Sequence, residues 1–389
     1  MKHLLLVNIN FSTIVLVLWF LFFILYLIKL NKVYYLFPEI FALFLFIKNC
    51  KIDFSFLMFT IYTFFATAFS INYHNLYVFN EINIVLFSLS TLLANLLFYT
   101  IIVNYIKLSD FEKAIAVISL FYSVYLLYLY FTKESFRIGS RFTGTFSDPN
   151  EFNFLTILFL TASLIVVRYW KNLFIRLVYI INSIIYLIFT LLTLSRTGLL
   201  MLVSFTLSLA LLSRVPLKKR FYYLVVSIVL ILFILFIASE TDILELYKHR
   251  LTSEADLQSG LSRLYETYAG LYYLITEFPI SLIGMGFGVS GIWEFFHNYY
   301  PITQGFEPRI HNTYISLLVE NGLLGFLIFI YIIYRNLKWL LYSQDDRRVL
   351  YISLYTSVLV GSNFCWTPYF LPFYITVFYL PYMLKYRVK

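Results

Sequence analysis

Apolar runs of about 15 to 25 residues recur along the whole chain with short polar breaks between them, the pattern of successive membrane-crossing helices. Such windows fall near residues 13–30, 33–48, 52–71, 82–106, 111–131, 151–167, 173–194, 197–213, 221–239, 313–334, 348–362 and 364–384. Most are long enough to span a hydrocarbon core of ~30 Å. A lipid-facing β-barrel would need segments of ~10 residues that alternate apolar and polar, and these are absent. The pattern therefore predicts an all-α polytopic membrane protein with about twelve transmembrane helices. Three regions follow: a bundle of about nine spans over residues 1–239, a large hydrophilic loop over 240–312, and about three further spans over 313–389. Within the loop, residues 260–276 (GLSRLYETYAGLYYLIT) are amphipathic enough for a helix lying on the membrane, and Pro279 is expected to end it.

Composition sharpens this. Hydrophobic residues make up 61% of the chain and charged residues only 13%, against roughly 25% charged in a soluble domain. A soluble protein is excluded. The net charge of +9 could suggest nucleic acid, but its placement argues otherwise. With both termini in the cytoplasm, 19 of the 29 Lys and Arg lie in inner segments, and 15 of the 20 acids fall to the outer side once Glu39 and Glu320, which lie within spans, are counted there, as retention of basic flanks predicts. The expected location is the bacterial cytoplasmic membrane, with the 240–312 loop outside and no nucleic-acid partner. The N-terminus lacks a small-residue cleavage site and is read as a retained first span. Cys50 and Cys365 fall on opposite faces, with neither disulfide nor metal spacing.

Few residues can carry chemistry. Arg196 stands in Ser195-Arg196-Thr197-Gly198 between two apolar runs. Either it snorkels to the interface or it meets an anion, because a guanidinium cannot shed its proton in lipid. Arg263 sits in the amphipathic segment, where it can face lipid headgroups, Glu266 or a substrate. Gly284, Gly286 and Gly288 are spaced for a tight turn or for an anion-binding nest of N–H groups. His311-Asn312-Thr313-Tyr314 opens a span: Asn312 or Thr313 can cap it, which holds His311 at the surface with a reference pKa of ~6.5. Glu320 lies nine residues on, half-way round the helix at ~100° per residue, so it is no natural partner for His311 and is better placed to meet a buried arginine. Asp148-Pro149 is a turn and cap signal, and Arg141, Asp148 and Asn150 are candidates for contact with a sugar or a diphosphate. No Asp-X-Asp, HExxH or GxSxG motif is present, so the expected chemistry uses neither metal nor cofactor.

The ordered set of Ser195 to Gly198, Gly260-Leu261-Ser262-Arg263, the glycine run from Gly284 to Gly288, and His311-Asn312-Thr313-Tyr314 followed by Glu320-Asn321-Gly322 resembles the O-antigen ligase and O-antigen polymerase superfamily (WaaL and Wzy types). The element from Gly144 to Asn150 is similar as well. The resemblance covers roughly residues 140 to 330. It implies a GT-C-like bundle in which Arg196 and Arg263 hold the diphosphate of an undecaprenyl-linked glycan and His311 acts at the acceptor hydroxyl, with Arg141, Asp148, Asn150, Gly284, Gly286, Gly288, Asn312, Tyr314 and Glu320 as substrate-binding candidates. The implied reaction is an inverting, metal-independent glycosyl transfer. Polymerisation of undecaprenyl-diphosphate-linked repeat units is the favoured form, in line with a Phe-, Tyr-, Ile- and Asn-rich composition. The lipid-linked oligosaccharide would serve as both donor and acceptor, with a flippase and a chain-length regulator of the same pathway as partners. The alternatives are ligation of polymer to lipid A core and transport by a lipid-linked oligosaccharide flippase.

Overall fold

The computed structural model describes residues 53–76, 82–132, 137–138, 141–146, 148–212, 254–292, 310–365 and 371–387, with helical positions also at 15–17, 19 and 23. The expected spans at 33–48 and 221–239, most of that at 13–30, and the loop segments 240–253 and 293–309 lie outside the described residues.

The helices are α1 (Phe54–Tyr73), α2 (Ile82–Tyr105), α3 (Leu108–Thr132), α4 (Pro149–Tyr169), α5 (Leu173–Leu192), α6 (Arg196–Leu212), α7 (Glu254–Thr276), α8 (Thr313–Tyr342) and α9 (Arg348–Gly361). A last composite helix, α10, joins Leu371–Tyr374, a π-helical turn Ile375–Tyr379 and Leu380–Arg387. Two short strands, β1 (Arg137–Ile138) and β2 (Arg141–Phe142), pair antiparallel between α3 and α4. Six of the helices, α1 to α5 and α8, are long and apolar enough to cross a membrane, and α6 and α9 are shorter apolar helices. This is an all-α membrane-type fold. Large apolar side chains remain outside it, with Phe131 78%, Phe174 74% and Phe54 72% exposed, a surface suited to lipid rather than water.

Local chemistry explains where these helices start. Asp53 accepts from the N–H groups of Ser55 (2.9 Å) and Phe56 (3.3 Å), Asp148 from Asn150 ahead of Pro149, and Asn172 from Ile175. Each such cap contributes about 1 kcal/mol. Hydroxyls inside the helices bond to their own backbone: Thr60, Thr63 and Thr67 donate to the carbonyls four residues back, so α1 carries them into an apolar layer with their polarity satisfied. Other polar groups tie helices together. Asn182 of α5 donates to Ser119 of α3 (3.0 Å) and Ser163 of α4 (2.9 Å). Pro381 has no N–H for the carbonyl of Val377, and Asn336 of α8 donates to that carbonyl instead, at 2.7 Å.

Ionic pairs close one end of the bundle. Arg335 of α8 holds Asp53 in a two-pronged bond (2.7 and 2.6 Å), Tyr99 donates to the same carboxylate, and Trp339 lies under both Arg335 and Lys385. Arg347 bridges Glu112 and Asp345 at the same end.

The other end is shaped by a break in α8. Gly322 has φ 61° and ψ −175°, far from helical values. The carbonyls of Val319 and Glu320 therefore turn out of the helix and accept from Met285 N–H (3.0 Å) and Gly286 N–H (2.9 Å). Gly284 N–H donates to Ile280 and Phe287 N–H to Thr67 Oγ1, so the N–H groups from Gly284 to Phe287, which the spacing suits to a tight turn or a nest, are bonded within the protein. Gly284, Gly286 and Gly288 all have positive φ, which only glycine adopts without strain. At Gly284 a Cβ would stand 2.4 Å from Glu320 O, and at Gly322 2.2 Å from Leu282 O. The glycines serve the close approach of two backbones.

Replacing Arg335 by Ala should destabilise the protein by about 3 kcal/mol, seen as a lower unfolding midpoint in detergent, because Asp53 is left buried without its partner. Adding Asp53→Asn should recover part of that loss, and an unchanged midpoint for Arg335→Ala would mean the pair contributes nothing. Gly284→Ala and Gly322→Ala should each destabilise by more than ~1 kcal/mol through the same contact, measured by the fraction of monodisperse protein in detergent. Wild-type yield from both variants would show that the loop can leave α8 freely.

Candidate active site

The amphipathic segment forms α7, which begins at Glu254, six residues earlier than its apolar pattern suggests, and ends at Thr276 before Pro279. Its buried stripe is Ser262, Glu266, Ala269, Gly270 and Tyr273, at helical spacing. Gly270 brings α7 close to α8, since a Cβ there would lie 2.9 Å from Val319 and 3.0 Å from Ile310. The opposite stripe is also apolar and open: Leu264 is 68% and Ile275 76% exposed, as a helix resting at a bilayer interface requires.

His311 sits one residue before the cap of α8. Asn312 Oδ1 accepts from Tyr314 N–H (3.0 Å) and Ile315 N–H (3.2 Å), and Thr313 is fixed to the end of α9 through its N–H to Ser362 O (2.9 Å) and its hydroxyl to Cys365 O (2.6 Å). Tyr314 donates to Leu359 O at 2.9 Å. Asn312 and Tyr314, expected at the substrate, thus hold His311 in place through these bonds.

The partner of His311 is Glu266. Its Oε2 lies 2.8 Å from His311 Nδ1 and accepts the His311 backbone N–H at 3.1 Å, while Oε1 accepts from Ser262 Oγ at 2.9 Å. The Glu266 side chain is 2% exposed and that of His311 22%. Burial works against a charged imidazole, but the hydrogen bond and charge of Glu266 outweigh it, so His311 holds its proton more strongly than a free histidine. Arg263 opposes this and Asp148 adds to it, which places both within electrostatic reach of the ring.

A second group of candidates is gathered where α4 and α6 begin. Asp148 caps α4, Asn150 accepts from Ser195 Oγ at 2.5 Å, and Arg141 Nε donates to Thr193 O at 3.0 Å. The reversal between α5 and α6 takes only residues 193–195, with Leu194 at φ 48°, and it sets Arg196 exposed in the first turn of α6. The helices α4, α6 and α8 all begin at this end, so the positive ends of three helix dipoles lie on the side that carries Arg141, Arg196, Arg263 and His311. Glu320 is apart from this surface: it is fully buried, and its Oε1 accepts from Ser290 beside the glycine run rather than facing the ring of His311.

The sequence signs of Arg141, Asp148, Asn150, Arg196, Arg263 and His311 lead to one end of the bundle. In the sequence Glu266 stands only as a neighbour for Arg263. Its signal was an acid on the apolar stripe of an amphipathic helix, four residues after Ser262, where a bare carboxylate would not be tolerated.

Residues 181–330 match the profile of a family described as O-Antigen ligase, a stretch that holds Arg196, Arg263, Glu266 and His311. No curated protein matches the chain. The match over residues 181–330 agrees with the resemblance of these motifs to the O-antigen polymerase and ligase superfamily.

Proposed function

We propose that the protein polymerises oligosaccharide repeat units carried on undecaprenyl diphosphate, at the outer face of a bacterial cytoplasmic membrane. The observation that carries this reading is the His311–Glu266 pair, beside Arg263 and within reach of Asp148, at the end of the bundle where three helices begin. A base stands there with a guanidinium on the adjoining helix face, in a fold whose surface suits lipid.

The reaction needs one proton acceptor and one anion site. The acceptor hydroxyl oxygen attacks C1 of the donor sugar and its proton passes to His311. The bond from C1 to the diphosphate oxygen breaks, the electron pair leaves with the diphosphate, and the configuration at C1 inverts. Arg196 and Arg263 hold the departing diphosphate, whose oxygens match the guanidinium fork, and the dipoles of α4, α6 and α8 favour the same charge. Arg141, Asp148 and Asn150 are the candidates for contact with the sugar or the diphosphate. Because the leaving group is already good, positioning and a single proton transfer supply most of the acceleration. The growing chain passes to the nonreducing end of a fresh unit, and undecaprenyl diphosphate is released.

The family's description favours a second reading, ligation of finished polymer to lipid A core, which uses the same donor chemistry with another acceptor. The surface polysaccharide of a deletion strain, resolved on a gel, separates them. A single repeat unit on the lipid A core is expected for a polymerase, whereas polymer accumulating on the undecaprenyl carrier would identify a ligase. Unpolymerised units building up on the cytoplasmic face would make the protein a transporter. In the complemented strain, His311→Ala should reduce transfer by about 100-fold or more while the protein stays in the membrane. Arg196→Lys should impair transfer although the charge is kept, because the fork is lost. Normal polymer from that variant would remove Arg196 from the site.

A further inference from the structure

The reading of His311 as a base leaves open what makes it one. A lone imidazole at a membrane surface exists in two neutral tautomers, and only one of them presents a given nitrogen as the acceptor. Something must choose between them, and the choice is visible in the contacts of Glu266.

Both hydrogen bonds of Glu266 whose direction is fixed are accepted ones, from the His311 backbone N–H and from Ser262 Oγ. Its Oε2 takes the backbone N–H of His311 and lies 2.8 Å from Nδ1, and its Oε1 takes the hydroxyl of Ser262. A carboxylate so placed has only lone pairs to offer the ring, so Nδ1 must bring the proton. Nε2 is then the basic nitrogen. The same oxygen grips both the ring and the backbone of His311, which fixes the ring against rotation as well. Glu266 is nearly sealed, while His311 keeps part of its side chain exposed, so the pair has one closed edge and one open one.

We infer that Glu266 is the positioning residue of His311: by holding Nδ1–H it enforces the tautomer whose Nε2 accepts the proton of the attacking hydroxyl, and its charge stabilises the imidazolium that results. This rests on the glycosyl-transfer reading above for its functional half, and on geometry alone for its structural half. The step balances simply: the hydroxyl proton moves to Nε2, the Nδ1 proton stays between His311 and Glu266, and the positive ring lies against a negative carboxylate. Glu266 touches no substrate.

A pH consequence follows with a definite sign. Among the described residues, the charged groups that bear on His311 are Glu266 and Arg263 from α7 and Asp148 from the start of α4. Burial lowers the ring's proton affinity, but the hydrogen bond and charge of Glu266 more than reverse that, so the midpoint lies above the ordinary 6.5. Below that midpoint His311 is protonated and cannot accept, and transfer should fall as pH falls through it. Without the Glu266 charge, the opposing effects of burial and Arg263 remain. The midpoint then drops.

The test uses the full-length protein in lipid nanodiscs, labelled with 15N-histidine, with imidazole shifts followed against pH. A His311→Asn spectrum identifies the ring among the five histidines of the chain. In wild type the neutral ring should carry its proton on Nδ1, with a titration midpoint above 6.5. Glu266→Gln, of the same shape, should move that midpoint down by about one unit or more and mix the tautomers. In the same variant the acid limb of the transfer rate should shift equally, with kcat lower by about 100-fold and KM little changed. Combined with His311→Ala, Glu266→Gln should cost nothing further. A wild-type neutral ring protonated on Nε2 would overturn the inference without any variant, as would a midpoint and tautomer untouched in Glu266→Gln. If the tautomer and midpoint behave as stated but His311→Ala still transfers sugar, the pair stands and the glycosyl-transfer reading falls. Loss of transfer in His311→Ala with an unmoved Glu266→Gln profile would keep that reading and remove Glu266 from it.

Discussion

A helix in hydrocarbon cannot interrupt its hydrogen bonds unless other donors replace them, since no water is there to do so. At Gly322 the backbone of α8 leaves helical geometry, and the carbonyls of Val319 and Glu320 would be left bare. Met285 and Gly286 supply the missing N–H groups. That exchange anchors the glycine segment to α8 at the depth where the break occurs. It reaches α1 as well, through Phe287 N–H to Thr67 and the hydroxyl of Ser70 on the carbonyl of Met285. Because α7 leads directly into this segment, its end is tied to α8 as well, and Gly270 then allows the two helices to touch. The meeting of Glu266 with His311 depends on all three contacts. The residues are 45 apart in the chain and become neighbours where one helix is broken and the segment that precedes it supplies the missing hydrogen bonds.

The two ends of the bundle are built on opposite principles. Around Asp53 and Glu112, charges meet their counter-charges directly: Arg335 and Arg347 are nearly buried, and each is engaged by carboxylates. Such pairs fix helix ends in place and leave nothing over for a ligand. At the other end Arg196 is exposed at a helix start, and the side chain of His311 stays partly open. Polar groups there are fastened on one side and accessible on the other, as the proposed transfer site requires. Between the ends, hydroxyls bonded to their own helices and the Asn182 bridge let a largely apolar layer hold polar residues at little cost.

Holding the imidazole from behind also decides how far it can be tuned. An imidazolium at a lipid interface faces two losses, desolvation of its charge and repulsion by the neighbouring guanidinium. Glu266 offsets the first, and Asp148 acts in the same direction from the α4 side, while Arg263 sets a limit. The balance leaves a ring that binds a proton readily and is held in one orientation, at the end of the bundle where the helix dipoles favour negative charge.

Much of this is written locally. Runs of twenty apolar residues must be helices in lipid, and Asp148-Pro149 and Asn312 are caps wherever they stand, so the helices at 82–105, 173–192 and 348–361 lie within two residues of their apolar windows at either end. Arg196 and His311 were conspicuous for the same reason: polar groups at the edge of lipid need a cause. Other features belong to no local segment. The glycines from Gly284 to Gly288 carry the same signal whether they cradle an anion or pack against another backbone, and only the position of α8 shows the second. The π-helical turn in α10 is held partly by Asn336 from a distant helix. Glu266 looked like a surface acid beside an arginine, because an amphipathic pattern tells which residues share a face but not what that face meets. The sequence by itself determined the helices, their caps and the few polar groups that must find partners. Tertiary structure decided which partners those were, because a hydrogen bond between residues 45 apart depends on how two helices pack, and packing is set by the whole bundle.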